Sequence, residues 1–398
     1  MSAALPPRVP FFQRCCAEPF RIFFPLGVLV GISGVSLWPL FFSGLHKFYP
    51  GIMHARMMME GFMGSFVIGF LGTAAPRLTG TKPCSPAELR MLLGLMIGVV
   101  GLHIAERYLA GDLVFLALLV FFATRMGRRF SCRTEAPPPG FVLVAFGFLN
   151  AIAGTVMLIV GAVGEGHPYP ALLGSMLLYQ GFVLCLVLGV GAFLLPRILQ
   201  LPSSVELPDT RELSPAWKCR AAFAAGVGVM LLASFFIEVF ALAPRVAGVM
   251  RFLAAGAFLA VEIPAHLGAT GAAGVTRGIR LALVFLLLGL FFPVFWPWQR
   301  VAGLHLVFIG GFTLMAFAVA TRVVLGHSGH SSLLSRPVVS LQGAALLLVV
   351  AAVFRVIGDF DLVARGHLLS VASYLWMIAA ALWGWAVLPK VQIAEPET

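Results

Sequence analysis

Between Met53 and Phe62 the chain reads MHARMMMEGF, which puts a histidine, an arginine and a glutamate within seven positions of an otherwise apolar run. A neutral imidazole such as His54 is a ready metal ligand. Arg56, permanently charged and forked, suits a carboxylate partner. Glu60, about 1.5 helical turns beyond His54, can carry a proton or be held neutral by its neighbours. His305, in LHLVFIGGF, is the second histidine set in strongly apolar sequence. Further candidates are Glu262 and His266, four apart in VEIPAHLG, and His327 and His330, three apart in GHSGH. At those spacings either pair can share a metal ion or a proton. The plainer alternatives are a paired polar contact inside a helix bundle for the first pair, and a turn built on Gly326 and Gly329 for the second. Glu238 is a lone acid expected to reach the membrane interface.

The elements that must position these groups follow from composition. The 398-residue chain is 60% hydrophobic and only 11% charged, against roughly a quarter charged in soluble domains. It reads as one polytopic membrane unit over residues 1–398. A spanning helix takes roughly 20 apolar residues. Twelve such runs lie near 20–44, 52–76, 87–106, 112–127, 140–164, 171–196, 217–240, 248–270, 279–297, 301–325, 337–357 and 366–388. The fold class is all-α membrane, and the N-terminal segment lacks the layout of a cleaved signal peptide.

The net charge of +11 is not a nucleic-acid signal, because Lys and Arg set orientation in a membrane protein. With the N terminus inside, 19 of the 27 basic residues fall on inner segments. The outer side keeps Lys47, Arg107, Arg245, Arg251, Arg300, Arg355 and Arg365, with Arg56 just inside the second span. The expectation is a multi-pass protein of a bacterial inner membrane with both termini cytoplasmic and the lipid bilayer as its first partner. Cys15, Cys16, Cys84, Cys132 and Cys219 all fall on the proposed inner side and Cys185 within the sixth span, so none meets the oxidising exterior. No C-x-x-C is present, which removes the usual cysteine metal site.

On this topology the second and tenth spans run in the same direction, so His54 and His305 share one membrane layer near the outer ends. Ionisable residues inside a span cost about 2.5–3.5 kcal/mol each on insertion scales, which makes them functional candidates. Two neutral imidazoles at one depth on different helices can hold a haem iron from both faces. Gly61, Ser65, Gly69 and Gly72 after His54, and Gly310 and Gly311 after His305, either leave room for such a plate or serve close helix packing. Arg56 and Arg355 are the candidate propionate partners, with His103 and Arg107 at similar depth. For Arg107 and Arg355 the competing role is snorkelling to the interface.

An internal pattern recurs. The second span holds Gly61-Phe62 and then Pro76-Arg77, the sixth holds Gly181-Phe182 and then Pro196-Arg197, and the tenth holds a looser version from Gly310 to Thr321-Arg322. Units four helices apart suggest three four-helix repeats, 20–127, 140–270 and 279–388, in a pseudo-threefold arrangement.

The segment LHLVFIGGFTLMAFAVATRVVLGHSGH resembles the signature of the NnrS family, a helix histidine followed by a basic residue and then Leu-Gly-His-Thr-Gly-Arg. His305, Arg322, Leu325, Gly326, His327 and Gly329 match, with Ser328 in place of threonine and His330 in place of arginine. The second span is similar to the family's Trp-His-Ala-His-Glu-Met and the Gly-Phe and Pro-x-x-Thr-Gly motifs after it, through His54, Ala55, Met58, Gly61, Phe62, Gly69, Phe70, Leu71, Thr73, Ala74, Pro76, Thr79 and Gly80. The opening PFRIFF, Pro19 to Phe24, also looks like the family's start. The resemblance implies a haem- and copper-containing membrane protein linked to nitric oxide and denitrification. Arg56 and Met57 stand where the family has its second histidine and a glutamate, which weakens the case for copper and leaves haem b as the expected cofactor.

A more distant similarity is to the main subunit of haem–copper oxidases, whose low-spin haem is held by histidines of the second and tenth of twelve helices. Gly303 stands where those proteins have their high-spin haem ligand, and the sixth and seventh spans contain no histidine. The chain is therefore not expected to be a terminal oxidase. A bis-histidine iron implies electron transfer with a redox partner, or interaction with nitric oxide if one ligand dissociates. The alternative class is a proton-coupled secondary transporter using Glu60, Glu262 and His266.

Overall fold

The structure, a computed structural model, describes residues 10–164, 167–201, 212–263 and 273–393. Among the described residues there are helices and no strands, and twelve of the helices are long and apolar enough to cross a membrane. They are α1 (Phe20–Phe42), α2 (Gly51–Thr79), α3 (Pro86–Ile104), α4 (Tyr108–Ser131), α5 (Phe141–Val163), α6 (Pro168–Leu199), α7 (Pro215–Phe240), α8 (Pro244–Glu262), α9 (Gly274–Phe295), α10 (Pro297–Gly326), α11 (Val339–Phe360) and α12 (Arg365–Gln392). Each expected run is met by a helix. The fourth extends further than its apolar stretch because the arginines beyond that stretch continue the helix to Ser131. The eighth is described only to Glu262, and His266 lies outside the described residues.

Alternate connections gather at opposite ends of the bundle. The proximal end carries the short helix Phe11–Ala17, the ends of α2 and α10 and the C-terminal turn. The distal end carries the start of α2, α6 and α10 and the connection between α11 and α12. The inner layer is α2, α6 and α10. Their most apolar windows are 78, 67 and 67% enclosed, against 28% for peripheral α3. These are also the three helices that share the Gly-Phe pattern. Each widens into a π-helical segment, over Met57–Met63, Leu177–Phe182 and Leu306–Thr313. A π segment inserts an extra residue into a turn, so it rotates the residues before it relative to those after it. In α2 and α10 the rotated residue is a histidine.

The small residues of α2 are used for packing. A Cβ at Gly61 would stand 2.4 Å from Val30, one at Gly69 3.1 Å from the Phe20 backbone, and one at Gly72 3.1 Å from Pro19. A Cβ at Gly310 would meet Phe285 at 2.3 Å. The glycines therefore seat α1 and α9 against the inner layer and do not open space for a cofactor, since without a hydrophobic drive in lipid helices associate by close backbone approach.

At the proximal end one carboxylate ties four segments together. Glu18 accepts hydrogen bonds from Arg21 Nε at 2.7 Å, Arg77 Nη2 at 2.8 Å and His327 Nδ1 at 2.6 Å. Arg21 in turn donates to the carbonyls of Val391, Ile393 and His327. His330 instead bonds Ser328, in a turn where Gly329 takes φ +70. The two histidines of GHSGH thus have different partners. Burial would raise the Glu18 carboxyl, but the His327 and Arg21 contacts outweigh it and hold the group at about 2. A depressed carboxyl stabilises the fold above its ordinary range and loses that contribution as pH falls through its folded value. Glu18→Gln is expected to lower the thermal unfolding temperature at pH 7. The gap from wild type should close as pH falls from 4.5 to about 2, and a gap constant across that window would refute the clamp.

Candidate functional site

The distal end encloses a cavity with about 350 Å³ of space for water-sized molecules, lined by His54 from α2 and His305 from α10 together with Trp38, Tyr49, Met58, Tyr179, Arg300, Arg355, Arg365 and Trp376. That volume falls in the range of ligand pockets, about 300–1,000 Å³. The two histidines singled out by sequence therefore face one space. Their local bonding is alike. His54 Nδ1 donates to the Gly34 carbonyl at 2.9 Å, and His305 Nδ1 to the Val301 carbonyl at 2.8 Å. With Nδ1 carrying the proton, Nε2 keeps its lone pair, the tautomer a metal requires. Neither Nε2 has a hydrogen-bond partner among the described residues. The Gly34 contact needs a glycine, since a Cβ there would lie 2.8 Å from Met57 and hold α1 away from α2. Trp38 sets its ring edge-on to His54 at 5.8 Å.

Two charge clusters border the cavity, and each combines two arginines with one carboxylate. Arg355 pairs with Asp359 at 2.8 Å, and Arg365 reaches the same carboxylate at 3.3 Å. Buried Arg251 pairs with Glu238, which Arg300 also approaches at 3.3 Å, while Arg251 Nη1 donates to Gln180 at 3.0 Å. Each cluster retains one uncompensated positive charge. Glu238 is thus not an interfacial acid. It is buried, with 6% exposure, because two guanidiniums make the interior the better place for it.

Arg56 does not line the cavity. Its guanidinium grips Asp112 of α4 through Nε and Nη2 at 2.7 and 2.8 Å, lies 3.2 Å from Glu60 and donates to the Tyr179 hydroxyl, which does line it. His103 of α3 meets Glu60 through Nε2 at 2.9 Å. Its ring fits because residue 111 is glycine, where a Cβ would stand 2.3 Å away. Glu60, His103 and Asp112 offer ligand atoms within 4.8 Å of one another and are all buried. Two carboxylates beside one guanidinium and a neutral imidazole leave a single negative charge. A divalent ion there would turn that charge into a net positive one beside Arg56.

Glu262 pairs with Arg220 from α7 at the proximal end, far along the bundle from Glu60. Arg300, Arg365, Asp112 and the Arg251–Glu238 pair carry no motif that marks them. The one available signal is their occurrence as charges beside or inside apolar runs.

A polytopic helical membrane protein with a histidine-lined, cation-rimmed cavity is the class that fold and site define. The sequence profile of the NnrS protein family matches residues 14–392, nearly the whole chain. The protein belongs to the NnrS family. No curated protein matches it significantly.

The ion-pair geometry makes a prediction. Removing one partner of a buried pair costs about 3–5 kcal/mol, so Arg56→Met should lower the thermal unfolding temperature in detergent markedly. Adding Asp112→Asn should recover part of the loss. Additive effects of the two substitutions would contradict direct coupling.

Proposed function

We propose that the distal cavity binds haem b, with His54 Nε2 and His305 Nε2 as axial ligands, in a protein of the nitric oxide response. Membership of the NnrS family ties the chain to that response. The observation that carries the cofactor reading is the matched pair of imidazoles on one cavity, each with Nδ1 fixed to a backbone carbonyl and Nε2 free. The rim supports it independently. The Arg355–Arg365–Asp359 and Arg251–Arg300–Glu238 clusters each carry one excess positive charge, and a haem carries two propionates. Arg355, Arg365 and Arg300 are therefore the propionate partners on this reading, and Arg56 is a positioning residue that orients Tyr179 from behind.

The bound group would supply one-electron redox chemistry. On this reading His54 and His305 would hold the group, Trp38, Phe62 and Trp376 would close the cavity around it, and the rim arginines would place fixed positive charge beside it. With both histidines engaged the group would suit electron exchange with a redox partner, and nitric oxide would need His54 or His305 to let go. Copper has weaker support, because a guanidinium sits beside Glu60 and Asp112. From the basic-residue bias we place the distal end outside and both termini in the cytoplasm of a bacterial inner membrane. We read the three π-bearing inner helices as the cores of three repeats.

The test is the reduced-minus-oxidised visible spectrum of purified protein expressed with ample haem. Wild type should show a sharp low-spin b-type spectrum, lost in both His54→Ala and His305→Ala. A colourless wild type would overturn the reading and leave the proton-coupled transporter. Arg355→Gln should keep the spectrum and lower the midpoint potential, because removing a nearby positive charge favours the more positive oxidised iron. An unchanged or raised potential would remove Arg355 from the rim.

A further inference from the structure

A second cavity lies on the axis between α2, α6 and α10, with about 120 Å³ of free space. Its geometry repeats threefold. In each of the stretches 61–72, 181–192 and 310–321 every residue is buried except the seventh and tenth, which are Val67 and Phe70, Val187 and Val190, and Ala316 and Val319. All six line this cavity. The partial exposure of these otherwise enclosed helices is thus exposure to one shared apolar cavity. Every other lining side chain is also apolar, so a water molecule would find none of the two to four polar partners it needs. Such cavities stay dry and take up small apolar molecules, as an engineered void of about 150 Å³ takes xenon or benzene.

The void is not isolated. Met63 and Phe312 line both it and the histidine cavity, so two side chains form the wall between them. Methionine, unbranched and flexible, yields readily at such a wall.

We propose that this axial cavity is a binding site for small apolar gas molecules, placed to pass them across Met63 and Phe312 toward His54 and His305. The destination rests on the haem reading, whereas the gas site itself does not. It would supply what a buried, bis-histidine centre otherwise lacks, a local store of small, weakly polar ligand beside it. An ion or a polar metabolite is excluded by the lining.

Xenon tests the site without reference to colour. Xenon-129 NMR of the purified full-length protein in detergent, compared with Ala316→Phe and Val187→Phe, which fill the void from different helices, should show a saturable protein-specific shift. Both fillers should weaken xenon binding at least tenfold while leaving the thermal unfolding temperature near that of wild type. His54→Ala should lose any haem spectrum and keep the xenon shift, which separates failure of the haem reading from failure of this one. A wild type indistinguishable from both fillers would overturn the proposal, as would co-purified lipid whose removal is required before xenon binds.

Discussion

The structure is governed by the cost of charge in a bilayer. Each ionisable group drawn into the hydrocarbon must find its partner inside the protein, because lipid offers none. The distal half of the bundle is organised by that demand. Arg56 with Asp112, Glu60 with His103, Arg251 with Glu238, and Arg355 with Asp359 each join two helices or two turns of one helix. Among the described residues the Nε2 atoms of His54 and His305 take no part in these pairs and face the cavity instead.

Why those histidines face inward is a matter of helix phase. A regular α-helix with small residues packed against α1 would carry His54 around with them. The π segment over Met57–Met63 breaks that phase relation, so Gly61, Gly69 and Gly72 can seat α1 while His54 turns to the cavity. The same device lies beyond His305 in α10, where Gly310 and Gly311 pack on α9. π segments recur at functional sites for this reason. The third, in α6, itself brings Tyr179 and Gln180 to the cavity and its cation rim.

Much of this is legible in the sequence, and the gaps have physical causes. Span number follows from apolar run length, and the shared depth of His54 and His305 follows from counting spans, since both quantities are one-dimensional. Rotation about the helix axis is not. The partner of Arg56 is Asp112, more than fifty residues away, and the choice between that carboxylate and a cofactor rim depends on a phase that π turns alter. Glu238 reads as interfacial in sequence for the same reason, because its neighbours Arg251 and Arg300 come from other helices. The glycine stripe leaves packing and cofactor space open together, and the steric distances from Gly61, Gly69 and Gly72 decide for packing.

Arg56 also explains how this chain departs from the pattern it resembles. Where a second histidine would offer a neutral ligand to a metal, the guanidinium here brings its own permanent charge to Glu60 and Asp112. A fixed cation cannot exchange with solution, so its contribution to the charge around Glu60 and Asp112 is constant. The cluster lies behind Tyr179, one residue removed from the cavity wall. The guanidinium thus compensates part of the cluster's charge permanently, and any cation entering there would do so beside a charge that cannot be removed.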